Sequence, residues 1–373
     1  ITLDGSGAGS FQIKDLASGE AAKLQGDLSM EMMGKLGSID KLSVTYKDGK
    51  IAGVSGQDAA GNAVSVTTIR DKKGSITGVE NTEAFGKEDG SFVTLSKATA
   101  VKDGKLQGSA VDISSAAATL KSALGKLSSF GQVTQEDITA ALGTAGLDKI
   151  GGEASIKVAN ASGQLVAQVD TRMGADNKMG GTGTDYMYNA KGETFKATTE
   201  LMRGADGTLK GADTQRFLAS IESLGGLTAQ NVGDLMGASD FMENYGGVIQ
   251  FNAFDAKGAG TIAAAMTKFG TGSVVTTVMD AATKSGASYS TIASADLSPD
   301  ARKELAGKGI TAANGMYSGK EVFSQGKLIS ASGVNATIDA KGAMTGIKTW
   351  TTEFKSGVGG AGFYMQTAAS MAL

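Results

Sequence analysis

The sequence predicts a mainly β protein, with antiparallel β-meanders and hairpins interrupted by short helical inserts. Three observations carry that expectation. First, Asp/Asn-x-x-Gly recurs at Asp58–Gly61, Asp71–Gly74, Asn160–Gly163, Asn189–Gly192, Asp255–Gly258 and Asp339–Gly342. Asp or Asn at the first corner of a three-residue hairpin loop bonds nearby backbone, and Gly at the fourth position takes the left-handed conformation of a G1 bulge. Second, Asp48-Gly49, Asp89-Gly90, Asp103-Gly104 and Asp206-Gly207 suit the tighter two-residue hairpin turn. Third, apolar and polar residues alternate between these corners, as in a sheet with one buried and one wet face.

Residues 1–112 read as an N-terminal helix followed by a β-meander. Leu24, Leu28, Met32 and Leu36 repeat at four-residue spacing within Ala17 to Gly37, the period of a helix face. Met30, Met32 and Met33 read as adaptable apolar packing, not as a metal site. Leu42, Val44 and Tyr46 then alternate with polar neighbours, and Val64, Val66 and Thr68 follow the next turn. Further strands are expected at Ser75–Thr82, Ser91–Thr99 and Lys105–Asp112.

Residues 113–150 change period to a helical hairpin. Ser114 or Ser115 caps a helix bearing Ala117, Leu120, Leu124 and Leu127. Thr134-Gln135-Glu136-Asp137 starts a second helix, which runs through Leu142 and is ended by Gly143. Internal packing of this pair is favoured over a subunit contact. Residues 151–213 return to strands at Glu153–Ala159, Gln164–Arg172, Thr182–Tyr188, Glu193–Met202 and Thr208–Lys210. Tyr186 and Tyr188 share a face, read as cross-strand packing in preference to a sugar platform.

Residues 214–246 form a second helical insert. Phe217, Leu218, Ile221 and Leu224 have helical spacing, and Thr228 to Met242 is a further segment weakened by Gly233 and Gly237. Residues 247–373 are β-rich with one helix near 298–307. Ile249, Phe251 and Ala253 lead into the Asp255 turn, and Leu297-Ser298-Pro299-Asp300 is a helix start. Three strands follow over 318–356, with Trp350 and Phe354 on one face, and the tail from Gly357 is Gly-rich and then apolar. The order of meander, helix pair, meander, helix pair and β region implies a duplicated or nested plan, with turn spacings too irregular for a solenoid or propeller.

Composition removes several chemistries. The 373 residues include 55 Gly and a single Pro, against ordinary usage of about 7% and about 5%. That balance fits tight turns and excludes collagen. No Cys is present, which removes disulfides and thiolate chemistry. No His is present either, which removes the usual neutral-pH base and the Ser-His-Asp triad. The net charge of −3 is mixed along the chain without a basic stripe, so nucleic acid is not an expected partner. No apolar run reaches the roughly 20 residues of a membrane-spanning helix. The sequence opens on Ile1 without a visible signal peptide, which is compatible with a mature product that has lost a leader or anchor and with part of something longer.

Several patterns formally match catalytic or binding motifs. Gly357 to Gly362 fits G-x-G-x-x-G, but a dinucleotide unit needs a helix, a second strand and an acidic residue beyond it. Ser38 to Lys41 and Ser324 to Lys327 fit S-x-x-K, yet both fall at strand or turn positions and lack a Lys-Thr-Gly partner. Asp170, Asp185, Glu193 and Glu200 are the carboxylates available for glycoside hydrolysis without His, and are read as solvated. Asp176-Asn177, Asp255 and Asp339 are candidates for calcium that turn geometry explains as well. Asn160-Ala161-Ser162 and Asn335-Ala336-Thr337 are formal glycosylation triplets. No catalytic, cofactor-binding or metal residue is nominated.

The stretch Val54 to Arg70, VSGQDAAGNAVSVTTIR, resembles the Asp-x-x-Gly-Asn hairpins of RHS-type surface proteins, without their Tyr-Asp signature. The Gly/Ser/Thr-rich hairpins are similar to extracytoplasmic parts of TraG-like conjugation proteins. Neither resemblance reaches a diagnostic motif, and no family is assigned on them. The functional expectation is a non-enzymatic extracytoplasmic structural protein, a subunit of a surface filament, appendage or virion. Its expected partners are copies of itself or other envelope and surface proteins, at the cell surface or outside the cell. The alternatives are an extracytoplasmic domain of a secretion or conjugation component, and a carbohydrate-active β-rich enzyme.

Overall fold

Asp and Asn corners close the hairpins as the sequence predicts. At Asp71, Asn160, Asn189 and Asp255 the corner N–H donates to the carbonyl four residues on, at 2.9–3.1 Å. The Gly three residues on donates back to the corner carbonyl at 2.9–3.0 Å. The corner side-chain oxygen accepts two further N–H groups, at Asp255 from Lys257 and Ala259, both at 2.9 Å. The closing glycines have φ between +76° and +81°, the G1-bulge conformation. These details come from a computed structural model that describes residues 2–3, 9–13, 42–47, 50–57, 61–103, 105–107, 113–150, 153–173, 179–203, 209–210, 214–224, 226–237, 248–269, 273–293, 315–325, 327–338, 344–356 and 362–372. Asp58 and the Asp339–Gly342 corner lie outside the described residues, although Gly61 has φ +78°.

The chain divides into two compact units, residues 1–184 with 201–211 and residues 185–200 with 212–373. The first is a meander of β1 (Thr2–Leu3), β2 (Gly9–Ile13), β3 (Leu42–Lys47), β4 (Lys50–Gln57), β5 (Ala63–Arg70), β6 (Ile76–Gly86) and β7 (Phe92–Lys102). Each strand pairs antiparallel with its predecessor. The short β8 (Lys105–Leu106) folds back on β7. Helices α1 (Ile113–Leu124) and α2 (Gln135–Ile150) follow. The chain then returns as β9 (Ala154–Ala159), which pairs with β7, and β10 (Leu165–Met173) pairs with β9. β11 is Met179–Tyr188.

The second unit repeats this device. After β12 (Thr194–Glu200) the chain passes through the β13–β14 hairpin (Met202–Arg203, Leu209–Lys210), which belongs to the first unit, and then forms α3 (Thr214–Glu222) and α4 (Ala229–Gly237) of the second. β15 (Val248–Phe254) returns to pair with β12. The meander continues through β16 (Gly260–Phe269), β17 (Ser273–Asp280), β18 (Gly286–Ala293), β19 (Gly315–Ser324), β20 (Lys327–Ile338), β21 (Met344–Ser356) and β22 (Gly362–Ala372), all antiparallel.

The hairpins also share a register. One constant offset carries Asn160 to Asp255 and the pair Ala159↔Leu165 to Phe254↔Gly260. It also carries the irregularity that follows, and then Val158↔Ala167 to Ala253↔Ile262. The Asp71 hairpin has the same register, Arg70↔Ile76 and then Ile69↔Gly78, so the match is the geometry of the bulged turn, and what recurs in the two units is the strand–helix pair–strand order.

Each helix pair buries its apolar stripe on one sheet face. In the first unit Ala117, Leu120, Leu124, Ile138 and Leu147 share a core with Val93, Leu95, Ile156, Val158 and Val169. In the second, Phe217, Leu218, Ile221, Val232 and Met236 share one with Phe195, Ile249, Phe251, Ala253 and Ile262. Phe217 packs edge-on to Phe251 with ring centroids 5.4 Å apart. Gly233 lets α4 approach closely, since a Cβ there would meet the Tyr289 ring at 3.2 Å.

Some expectations need correction. Asp89-Gly90 is not a two-residue turn. Lys87 is the first corner, donating to the Ser91 carbonyl, and Gly90 bonds back to Lys87 with φ +89°. The Gly86↔Phe92 pairing leaves residues 87–91 between the strands, which selects the bulged loop. Asp103-Gly104 does lie in a two-residue loop, between Lys102 and Lys105, with Asp103 at φ +52°. Lys47↔Lys50 likewise brackets residues 48–49, which lie outside the described residues, as do 206–207. Gln325, at φ +52°, lies in a tight turn between Ser324 and Lys327, in keeping with the strand or turn position expected there.

Among the helices, α1 stops at Leu124 and leaves Leu127 43% exposed. Gly143 breaks the helical backbone at φ 58°, ψ 177° without ending α2, because Leu147 and Ile150 continue into the core. The strand expected over 105–112 ends at Leu106. The helices expected over 17–37 and 298–307, and the end of the segment reaching Met242, lie outside the described residues.

Candidate functional site

The polar groups buried under the helix pairs hold the inserts to the sheets. Glu83 on β6 is 2% exposed, and its Oε1 accepts from Asn62 Nδ2 at 2.9 Å. Lys121 of α1 donates to Asn62 Oδ1 at 2.6 Å, so strand, loop and helix meet in one network. Lys97 of β7 donates to the Ile150 carbonyl at 2.9 Å, and burial pushes its pKa down. A cation at a helix C-terminus is also favoured by the helix dipole. In the second unit the buried Asp185 accepts a bond from Thr214 Oγ1 at the start of α3. Asp185 precedes the Asn189 corner as Glu83 precedes the Lys87 corner, so both modules bury a carboxylate at the same place. Sequence reasoning passed over Glu83, Asn62 and Lys121.

The carboxylates singled out from the sequence have structural partners. Asp170 accepts from Gln168 Nε2 at 2.7 Å, and Glu193 accepts from Asn189 Nδ2 at 2.6 Å within its own turn. Glu200 is exposed at the end of β12, whereas Asp185 is buried and not solvated as expected. Asp255 is a turn corner, and Asp176, Asn177 and Asp339 lie outside the described residues. Among the described residues no group of three or more acidic side chains is placed to hold a metal ion.

The other motifs are absorbed by the sheet. Ser324 and Lys327 face each other across a hairpin turn, and Ser38 to Lys41 lie outside the described residues. Gly362 opens β22, an antiparallel strand, where a dinucleotide fingerprint requires a helix. The Asn160 amide bonds Gln164 Oε1 and two backbone N–H groups of its own turn. Asn335 lies within β20, and Trp350 and Phe354 within β21. Tyr186 and Tyr188 are half-buried on β11, where Lys196 stands 5.8 Å from the Tyr186 ring centroid. Met30, Met32 and Met33 lie outside the described residues.

One strand stands apart in composition. Among the described residues β22 pairs on one side only, with β21. Its 11 residues, GFYMQTAASMA, contain no charge and no Pro. Natural edge strands are ordinarily blunted by Lys, Pro or short length. The other uncharged strands of seven or more residues, β15 and β18, are each paired on both sides. The composition of β22 is thus that of an interior strand. Among the described residues no helix is long and apolar enough to cross a membrane. No family model and no curated protein matches the chain.

Proposed function

We propose that this is a non-enzymatic structural protein that builds an extracytoplasmic surface assembly such as a filament, appendage or virion. The observation that supports the reading is the composition of β22, an 11-residue strand without charge or Pro. A strand of that composition suits main-chain pairing with another chain. The partners are copies of itself or neighbouring envelope proteins.

Thr367→Lys places a charge at the middle of β22. Wild-type protein is expected to form larger species with rising concentration, seen by light scattering and electron microscopy. The variant is expected to stay dispersed. A wild type that stays monomeric at all concentrations, or assembly that ignores the lysine, overturns the proposal.

A further inference from the structure

We propose that the first unit forms an isopeptide bond within itself, in which Lys121 Nζ displaces ammonia from the Asn62 side-chain amide and Glu83 carries the proton. The proposal is independent of the assembly reading, because it concerns a covalent tie inside one chain.

The three groups stand in the order that the exchange needs. Lys121 Nζ donates to Asn62 Oδ1 at 2.6 Å. The amide carbon lies one C=O bond beyond that oxygen, so Nζ is no farther than about 3.8 Å from it. Attack starts from a separation of about 3–3.5 Å, a short swing for a lysine side chain already held by the amide. On the other side of the amide, Nδ2 donates to Glu83 Oε1 at 2.9 Å. Nucleophile, electrophile and acid–base group are joined in one line, with the carboxyl on the nitrogen that leaves.

Burial favours the amine over water as the attacking group. Asn62 and Glu83 are buried, and the cross-strand neighbours of Glu83 are Val64 and Leu95. Water that would hydrolyse the amide is kept from it. Lys121 is exposed on α1, so its ammonium gives up a proton to solvent before attack. The neutral amine then adds to Cγ of Asn62. The attacking nitrogen sheds a proton to Glu83, Glu83 delivers it to Nδ2, and the Cγ–Nδ2 bond breaks. One N–H and one C–N bond are lost and one of each forms, so ammonia leaves without an oxidant or cofactor.

The bond ties the residue before β5 to α1 across 59 positions. A cross-link of that span restricts the unfolded chain as a disulfide does, in a protein with no cysteine to make one.

Intact-mass spectrometry of the folded chain is expected to show a mass one ammonia below that of the sequence. Tryptic peptides holding Asn62 and Lys121 are expected as one branched species. Lys121→Arg keeps a cation at this exposed site, and is expected to fold, to show its full sequence mass and to lose the branched peptide. Followed during cell-free synthesis, Glu83→Gln is expected to link about 100-fold more slowly than wild type. Should Glu83→Gln not fold, the wild-type peptide map and Lys121→Arg decide the proposal between them.

Full sequence mass in folded wild-type protein overturns the proposal. So does loss of ammonia without a branched peptide, as ring closure at Asn314-Gly315 would give. Linkage in Glu83→Gln at the wild-type rate overturns the role of Glu83 alone.

Discussion

At the scale of single residues, the hairpins depend on which positions are left-handed. Gly258 has φ +81° and open space around its Cα, so only backbone conformation opposes a side chain there. Gly258→Ala is expected to destabilise the protein by roughly 1 kcal/mol, the cost of a left-handed L-residue. Lys284 presents the converse. It is exposed, has φ +53°, and closes the Asp280 loop by donating its N–H to the Asp280 carbonyl. Lys284→Gly is expected to stabilise by roughly 0.5–1 kcal/mol, reduced from the full strain by the greater freedom of Gly in the unfolded chain. Urea titration of both variants checks the pair, and a shift of the same sign in both contradicts the argument.

At the scale of elements, much was legible because the signals were local. Thr134 and Asp137 bond each other's backbone N–H groups, as a capping box does, and their spacing shows in the sequence. Thr228 and Asn231 do the same for α4. The extension of α2 past Gly143 was not legible, because Gly marks a helix end unless tertiary burial, here of Leu147 and Ile150, carries the helix on. Nor was the Asn62–Glu83–Lys121 network, whose members are 21 and 59 residues apart. No short motif can encode it. Lys97 likewise joins β7 to the end of α2 across 53 residues. Its folded pKa lies below the unfolded value because burial disfavours the charged form. Between those two values the unfolded chain holds a proton that the folded chain lacks. Stability therefore rises with pH through that window, which ends at the ordinary lysine value. Half-buried Tyr188 acts oppositely, since desolvation raises its pKa and stability falls above the ordinary tyrosine value. Urea midpoints measured against pH are expected to lose the rising limb in Lys97→Met. An unchanged limb removes Lys97 as its source.

At the scale of the whole molecule, the doubled module has consequences for cooperativity. The order of meander, helix pair and meander showed the duplication in outline. No fixed period shows it, because the helical inserts differ in length. Each module closes its own core. Leu120 is fully buried among first-unit residues, and Phe251 among second-unit residues. Removing either side chain leaves a cavity worth about 3–5 kcal/mol, felt where the cavity lies. Two separate cores permit two unfolding steps, so a single two-state description is not expected to hold. Calorimetry should then resolve two transitions, with Leu120→Ala lowering one and Phe251→Ala the other. β22 belongs to the second unit, so the proposed assembly through it should survive Leu120→Ala at temperatures below that variant's own transition. A single transition displaced equally by both variants would mean that the repeated modules fold as one body.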